Sequence, residues 1–491
     1  MNMAKNSIRK DTIWLSISKV TTLVLSTVCV MLLSRIRTLR EYGTYSQIIM
    51  VTTLVSTLFI LGLPNSINYF LAKSKNKSDE KSFITLYYTI NCVVSIIVGI
   101  LLVLGKTIVC KYFNNSDIAN YWYFLLLYPF VLLTTESLSN VLVFYSKTTT
   151  LTFYNLIHIV VTLVCIVATF YLKMPFSIYM ALFLVCEIVF AVITHFIAFR
   201  VVGGFAKLPN AKFLKTLFAF SVPIGLAYSV GTLTSGLDKL MISHWYSTEE
   251  YAIYSNAAKE LPLSIIATAS ITVIMPRATK LIGDNQGKQA VFLWKTSFSF
   301  NYILMCLMVF GIVCFAPDIM TILYSSKYLP GLDVFRIYVL IMLIRSTSFG
   351  MLLIASGKTR LVMLNSVFVL IANVGLNFLF YHLFGFIGPA IASVCASVLE
   401  MSILVILTSK HFNVKIREMI PFKTIIVSTF ANLFFLRFFS MLKEALVLEQ
   451  FLFEIGESLF LGVLWTILYG MCMWALIKKQ WRLLGANNEI N

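Results

Sequence analysis

Seven ionisable side chains stand inside runs that are otherwise almost wholly apolar: Lys19, Glu136, Glu187, Lys295, Arg345, Glu400 and Arg437. Asp238 and Lys239 stand near the end of another such run, Glu260 begins the next, and Arg277 follows it. An ionised group at bilayer depth is costly and tends to face an interior cavity. The cations Lys19, Arg345 and Lys295 offer the chemistry that binds a phosphate or pyrophosphate, through charge-assisted hydrogen bonds to its oxygens. For Lys19 and Arg345 the competing reading is interhelical pairing, for example with Glu136 or Glu187. Glu136, Glu187 and Glu400 are candidates for proton coupling, because a carboxylate withdrawn from water holds a proton more readily, and Asp238 reads either as the partner of a base at the helix end or as a transport residue. His158 and His195 titrate near neutral pH in water and read best as hydrogen-bonded structural residues. Asn91, Asn155, Asn365, Asn373 and Asn377 read as interhelical hydrogen-bonding groups or cavity lining.

No enzyme chemistry stands out. The nine cysteines lack CxxC spacing and the five histidines never pair at i, i+4, so no metal or haem site is expected. The GxxxxGK[ST], GxSxG and HExxH patterns are absent. The expectation is a carrier without a resident cofactor, with a proton or sodium gradient as candidate driving force.

The elements that position these groups follow from composition. The chain has 491 residues, 59% hydrophobic and 12% charged, against ~25% charge in soluble domains. A net charge of +18 would suggest nucleic acid in a soluble protein. Here the charges lie mostly between apolar runs, and no nucleic-acid partner is expected. The runs are 12–34, 46–70, 84–105, 120–145, 152–172, 176–199, 216–238, 257–276, 292–315, 334–356, 361–382, 387–408, 421–441 and 456–477. Each is close to the ~20 residues that span a bilayer. Continuous apolar runs exclude the alternating strands of a barrel, so the expected fold is all-α with about fourteen transmembrane helices. The N-terminal stretch is the first of them, retained rather than cleaved. With the N-terminus in the cytoplasm, 24 of the 39 basic residues fall on the inner side, which places both termini there. Arg35, Arg37 and Arg40 are outliers in the first outer loop. They read either as snorkelling helix ends or as a cationic rim for an anionic lipid headgroup.

An internal repeat divides the chain. LSRIRTLREYGTYS, ending at Ser46, aligns with ISHWYSTEEYAIYS, ending at Ser255. Ser34, Glu41, Tyr42, Tyr45 and Ser46 match Ser243, Glu250, Tyr251, Tyr254 and Ser255 at a constant offset of 209. Six helices separate the copies, so two parallel-related six-helix bundles are expected, as in some transporters. The limits are 1–200 for the first bundle, 201–215 for a cytoplasmic linker, 216–408 for the second, and 409–491 for helices 13 and 14 with the tail. Pro64, Pro223, Pro262 and Pro276 mark candidate hinges.

Three blocks carry a family resemblance: LLSRIRTLREYGTYSQIIMVTTLVSTLFILGLPNSINYF at 32–70, FSVPIGLAYSVGTLTSGLDKLMISHWYSTEEYAIYSNAAK at 220–259 with MPRATKL at 275–281, and IASGKTRLVMLNSVFVLIANVGLNFLFYHLFGFIGPAIASVCASVLE at 354–400. The chain resembles the bacterial polysaccharide or O-antigen flippases of the multidrug/oligosaccharidyl-lipid/polysaccharide exporter superfamily. The resemblance implies a V-shaped, alternating-access transporter of two six-helix bundles plus two helices in the bacterial cytoplasmic membrane. It implies flipping of an undecaprenyl-diphosphate-linked oligosaccharide to the outer leaflet, with a polysaccharide polymerase and assembly proteins as partners. The headgroup would cross a cationic cavity, for which Lys19, Arg345 and Lys295 are the candidates, and Asp238 and Arg277, in the recurrent segments, would be structural or gating residues. An ion-coupled drug or small-molecule exporter of the same fold is the alternative.

Overall fold

The computed structural model describes residues 2–209, 211–259, 261, 263–446 and 451–486, so Glu260 and Pro262 lie outside the described residues. Every regular element among them is helical. The contacts form two compact units. One runs to Gly236 and resumes over Leu240–Ile253; the other takes Leu237–Lys239 and continues from Tyr254.

The first unit contains α1 (Asn2–Ile36), α2 (Leu39–Phe59), α3 (Leu63–Lys73), α4 (Lys77–Leu104), α5 (Lys106–Tyr112), α6 (Trp122–Phe144), α7 (Thr148–Tyr171) and α8 (Phe176–Val202), together with most of α9 (Ala211–Trp245) and α10 (Thr248–Ala257). The second contains α11 (Ser264–Gly283), α12 (Gly287–Cys314), α13 (Ala316–Tyr324), α14 (Leu332–Ile344), α15 (Met351–Ala355), α16 (Thr359–Phe384), α17 (Gly388–Phe412), α18 (Ile416–Met419), α19 (Phe422–Leu446) and α20 (Phe451–Ala486).

Among the described residues, eleven helical stretches are long and apolar enough to cross a membrane, or up to twelve with one bent pair counted as a span; one of them, Thr359–Phe412, contains both α16 and α17. The chain is thus a multi-pass α-helical membrane protein, and of the fourteen runs expected to span, two are not single straight helices. The 46–70 run bends by 42° between α2 and α3, where Leu61 (φ 50°) and Gly62 (φ 67°) are left-handed. The 334–356 run splits into α14 and α15 across Arg345-Ser-Thr-Ser-Phe-Gly350. Ser and Thr side chains compete for backbone hydrogen bonds and weaken a helix there.

A broken helix at membrane depth must have its freed backbone groups satisfied by protein. From α12, Asn301 Nδ2 donates to the Ser346 carbonyl (3.2 Å) and Trp294 Nε1 to the Ser348 carbonyl (3.1 Å). In the first unit Asn91, on α4, donates to the Leu133 carbonyl of α6 (3.0 Å). Asn91 and Asn301 differ by 210 in number. The helices that carry them, Lys77–Leu104 and Gly287–Cys314, have equal lengths and the same offset. The repeat therefore extends beyond the matched turn: Asn91 clamps α6, and Asn301 clamps the break that follows α14.

The matched turn itself has a local cause. Thr38 Oγ1 accepts from the Glu41 amide (3.2 Å) while Glu41 Oε2 accepts from the Thr38 amide (3.0 Å). Ser247 and Glu250 repeat both bonds at 3.2 and 3.0 Å. Glu41 and Glu250 are the N3 members of capping boxes that start α2 and α10. The two helix starts pack tightly, and a Cβ on Gly43 would lie 2.3 Å from the Thr248 carbonyl oxygen.

Candidate functional site

The break between α14 and α15 exposes the side chains that precede and follow it to a cavity of about 190 Å³. Arg345, Thr347, Ser348, Ser397 and Glu400 supply its polar lining, and Ile344, Phe349, Val362 and Leu404 part of its apolar lining. Arg345 caps the end of α14, its N–H bonded to the Ile341 and Leu343 carbonyls. Its guanidinium is half-buried and interacts with Glu400 first and Asp238 second. Glu400, from α17, is therefore the acidic neighbour of Arg345, rather than the Glu136 or Glu187 weighed from the sequence. A guanidinium in a small, partly apolar cavity next to three hydroxyls is chemically suited to hold a phosphate oxygen array.

Asp238 belongs to the same unit. It is 1% exposed, and its Oδ2 accepts from the hydroxyls of Tyr254 (3.0 Å) and Tyr338. Its Oδ1 has no hydrogen-bond partner among the described residues. Two phenols thus hold this buried carboxylate, and its cationic neighbour is the Arg345 guanidinium.

The remaining candidates are dispersed. Lys19 lies on the exposed side of α1, while its buried neighbour Ser18 accepts from Asn155 (3.0 Å). Lys295 Nζ donates to the Glu418 carbonyl (2.7 Å) at the end of α18, and so fastens a loop. Arg277 is exposed on α11 beside Trp481 and Leu484 in a groove of about 450 Å³. Glu187 is buried and bonded to His158 Nε2 (2.9 Å), whose ring packs on Phe190. His195 contacts the Ala191 carbonyl (3.0 Å) and stacks on Phe130. Glu136 opens onto a cavity in the first unit lined by α2, α6 and α9.

Arg35, Arg37 and Arg40 do not form a uniform rim. Arg37 is buried, its guanidinium bonded to Thr169 (3.2 Å) and the Met174 carbonyl (3.4 Å), over the rings of Phe176 and Tyr179. Arg40 pairs with Asp117 at 2.8 Å on the surface, and Arg35 is exposed. Snorkelling and headgroup binding both fail for Arg37 because aromatic faces and two oxygens already surround its charge. The Lys443–Asp318 pair, joined by Ser458, ties α13, α19 and α20 together. Sequence reading missed it because its members stand outside the runs searched for buried charge.

One of the two interrupted membrane helices carries an ionisable group, Arg345, at its break, in a multi-pass helical-bundle membrane fold. Comparison with solved structures agrees on the fold. The chain superimposes with a TM-score of 0.74 on the lipid II flippase MurJ in its inward closed conformation, at 14% identity, covering 95% of this chain and 100% of that one. It superimposes at 0.63 on an inward-facing multidrug resistance MATE transporter of the MOP superfamily, at 12% identity, covering 82% and 98%. A mutant of the Vibrio cholerae MATE transporter VcmN gives 0.54 at 14% identity, covering 83% and 97%. No curated protein matches the sequence. The polysaccharide biosynthesis protein family matches residues 8–282, and the chain belongs to that family.

Proposed function

We propose that this protein flips an undecaprenyl-diphosphate-linked oligosaccharide from the inner to the outer leaflet of the bacterial cytoplasmic membrane, for assembly of a surface polysaccharide such as O-antigen. The observation that carries the reading is Arg345 at a helix break, lining a cavity with Thr347, Ser348 and Ser397. The family and the fold support it. A hydrated headgroup needs polar partners throughout its passage, because desolvated hydroxyls are costly, and its diphosphate needs positive charge. Arg345 supplies that charge. Lys19 is a second candidate contact, and Lys295 a weaker one because its ammonium is held by the Glu418 carbonyl.

The cycle is alternating access between the bundles 1–200 and 216–408, with both termini cytoplasmic and a polysaccharide polymerase consuming the product. A proton or sodium gradient drives it, with Asp238 as the coupling residue. Its buried carboxylate accepts from two tyrosine hydroxyls through one oxygen, and the other, without a hydrogen-bond partner among the described residues, is left to take up a coupling ion. Glu136, Glu187 and Arg277 are the other coupling or gating candidates. The second reading is export of a drug or small molecule, which the fold shared with MATE transporters favours.

Reconstitution separates the two. Vesicles holding the protein should render a fluorescent undecaprenyl-diphosphate-linked saccharide accessible to an external quencher, and should not concentrate cationic dyes. Dye accumulation against a gradient without lipid movement would support the exporter instead.

A further inference from the structure

The groove of about 450 Å³ beside Arg277 is formed by α11, α12 and the end of α20, all within the second unit, and shares no residue with the Arg345 cavity. Its walls are mostly apolar, with Val273 and Ile274 from α11, Leu293 and Phe300 from α12 and Leu484 from α20. Arg277 is the one charged residue in that lining. Trp481 closes one side, 66% exposed and with its ring centroid 5.7 Å from that of Phe300. A second hollow begins at the next residue of α20 and is lined by Lys478, Lys479 and Arg482. Lys478 and Arg482 are one turn apart and share a helix face. Neither hollow has an acidic residue in its lining, and none of these four bases has an ion-pair partner among the described residues.

The helices fix the level of the groove. The apolar run of α20 ends at Ile477, and Lys478 and Lys479 follow. On α12, Lys295 reaches the Glu418 carbonyl in the connection between α17 and α19, and Phe300 lies only about 8 Å further along the helix at 1.5 Å per residue. The groove therefore straddles the edge of the apolar zone, where tryptophan side chains concentrate. An apolar slot that meets four bases at this level matches a molecule with an acyl chain at one end and a phosphate at the other.

We infer that the groove binds an anionic glycerophospholipid of the surrounding bilayer, with one acyl chain against Val273, Ile274 and Phe300 and the phosphate between Arg277 and the bases of α20. Bonds from guanidinium and ammonium groups to phosphate are charge-assisted, and basic pockets between membrane helices take acidic headgroups. The bound lipid ties α11 to the end of α20. No transported cargo enters the argument, so the inference stands apart from the flippase reading.

The test is lipid retention by the purified full-length protein, read by native mass spectrometry. The probes are phosphatidylglycerol and phosphatidylcholine with identical chains, at equal concentration. The parent should retain phosphatidylglycerol at least tenfold better. Arg277→Gln should cut that preference about fivefold, the factor expected for one base at an anionic lipid surface, and Lys478→Gln combined with Arg482→Gln should cut it at least as far. All three positions are exposed, so these variants should fold as the parent does. Tryptophan fluorescence reads the position separately. Brominated phosphatidylglycerol should quench more than brominated phosphatidylcholine, and Trp481→Phe should remove the excess. Equal retention of the two lipids by the parent, a preference unchanged in both base variants, or an excess quenching that survives Trp481→Phe overturns the inference. So does displacement of phosphatidylglycerol by equimolar inorganic phosphate, which marks a site for the free ion, or by equimolar undecaprenyl phosphate, which marks a slot for a prenyl chain.

Discussion

Gly225→Ala sets two physical effects against each other. Gly225 is within α9, two residues after Pro223, and in a helix interior alanine is favoured over glycine by about 0.5–1 kcal/mol. Propensity alone predicts stabilisation. A Cβ at this position, however, would lie 2.2 Å from the Leu61 carbonyl carbon and 2.3 Å from the Gly62 nitrogen. Those atoms are backbone, held in left-handed conformations at the α2–α3 bend, and reaching ordinary contact requires a shift of roughly 1 Å. Overpacking of this kind costs about 1–3 kcal/mol. The net expectation is destabilisation by about 1–2 kcal/mol. Gly231→Ala is the internal control, since it occupies the same helix with nothing within 4 Å of its Cβ. The assay is the half-life of detergent-solubilised protein at fixed elevated temperature, because unfolding of large proteins is often irreversible. Gly225→Ala should shorten that half-life about 5- to 30-fold, the factor that 1–2 kcal/mol represents, and Gly231→Ala should leave it equal or longer. Equal or longer half-lives for both would refute the close approach of α9 to the bend.

Asn301→Ala should destabilise by about 2–4 kcal/mol, since it orphans the Ser346 carbonyl and the Ser270 hydroxyl; thermal unfolding in detergent measures this. His158→Leu leaves Glu187 buried without its partner and should cost about 3 kcal/mol, most of it recovered when Glu187→Leu is added; a double-mutant cycle in the same assay decides. Thr38→Ala and Ser247→Ala should each cost about 1 kcal/mol by removing a helix cap, and hydrogen exchange should show fraying confined to the first turns of α2 and α10.

Much of the architecture was legible because lipid simplifies the problem. A long run without charge has almost no alternative to a helix, and the offset of 209 announced that one arrangement is used twice. The shared Glu41 and Glu250 were visible as a match and are explained by capping, a short-range signal that survives in any context. The helix breaks were not legible. Apolar periodicity runs straight through Ile60–Leu63, and at 345–350 the serines and threonine were no more polar than those of unbroken helices. What permits the second break is Trp294 and Asn301 of a different helix, and a tertiary partner leaves no local trace. The candidate site was half legible. Arg345 stood out as a charge at bilayer depth, but the identity of its acidic neighbour, Glu400, depends on packing of α14 against α17. Arg37 shows the converse error. Its position beside two other arginines suggested a surface, and only the folded chain puts it over Phe176 and Tyr179.

The central claim is that Arg345 holds the diphosphate of a lipid-linked saccharide during its passage. The most direct measurement is outer-leaflet delivery of a labelled undecaprenyl-diphosphate-linked saccharide in proteoliposomes, comparing the parent with Arg345→Lys and Arg345→Ala at matched protein levels. A lysine keeps the charge and loses the guanidinium's bidentate geometry. The account predicts delivery by the parent, a partial rate for Arg345→Lys and at least a tenfold loss for Arg345→Ala. Delivery by Arg345→Ala at the parental rate would contradict it.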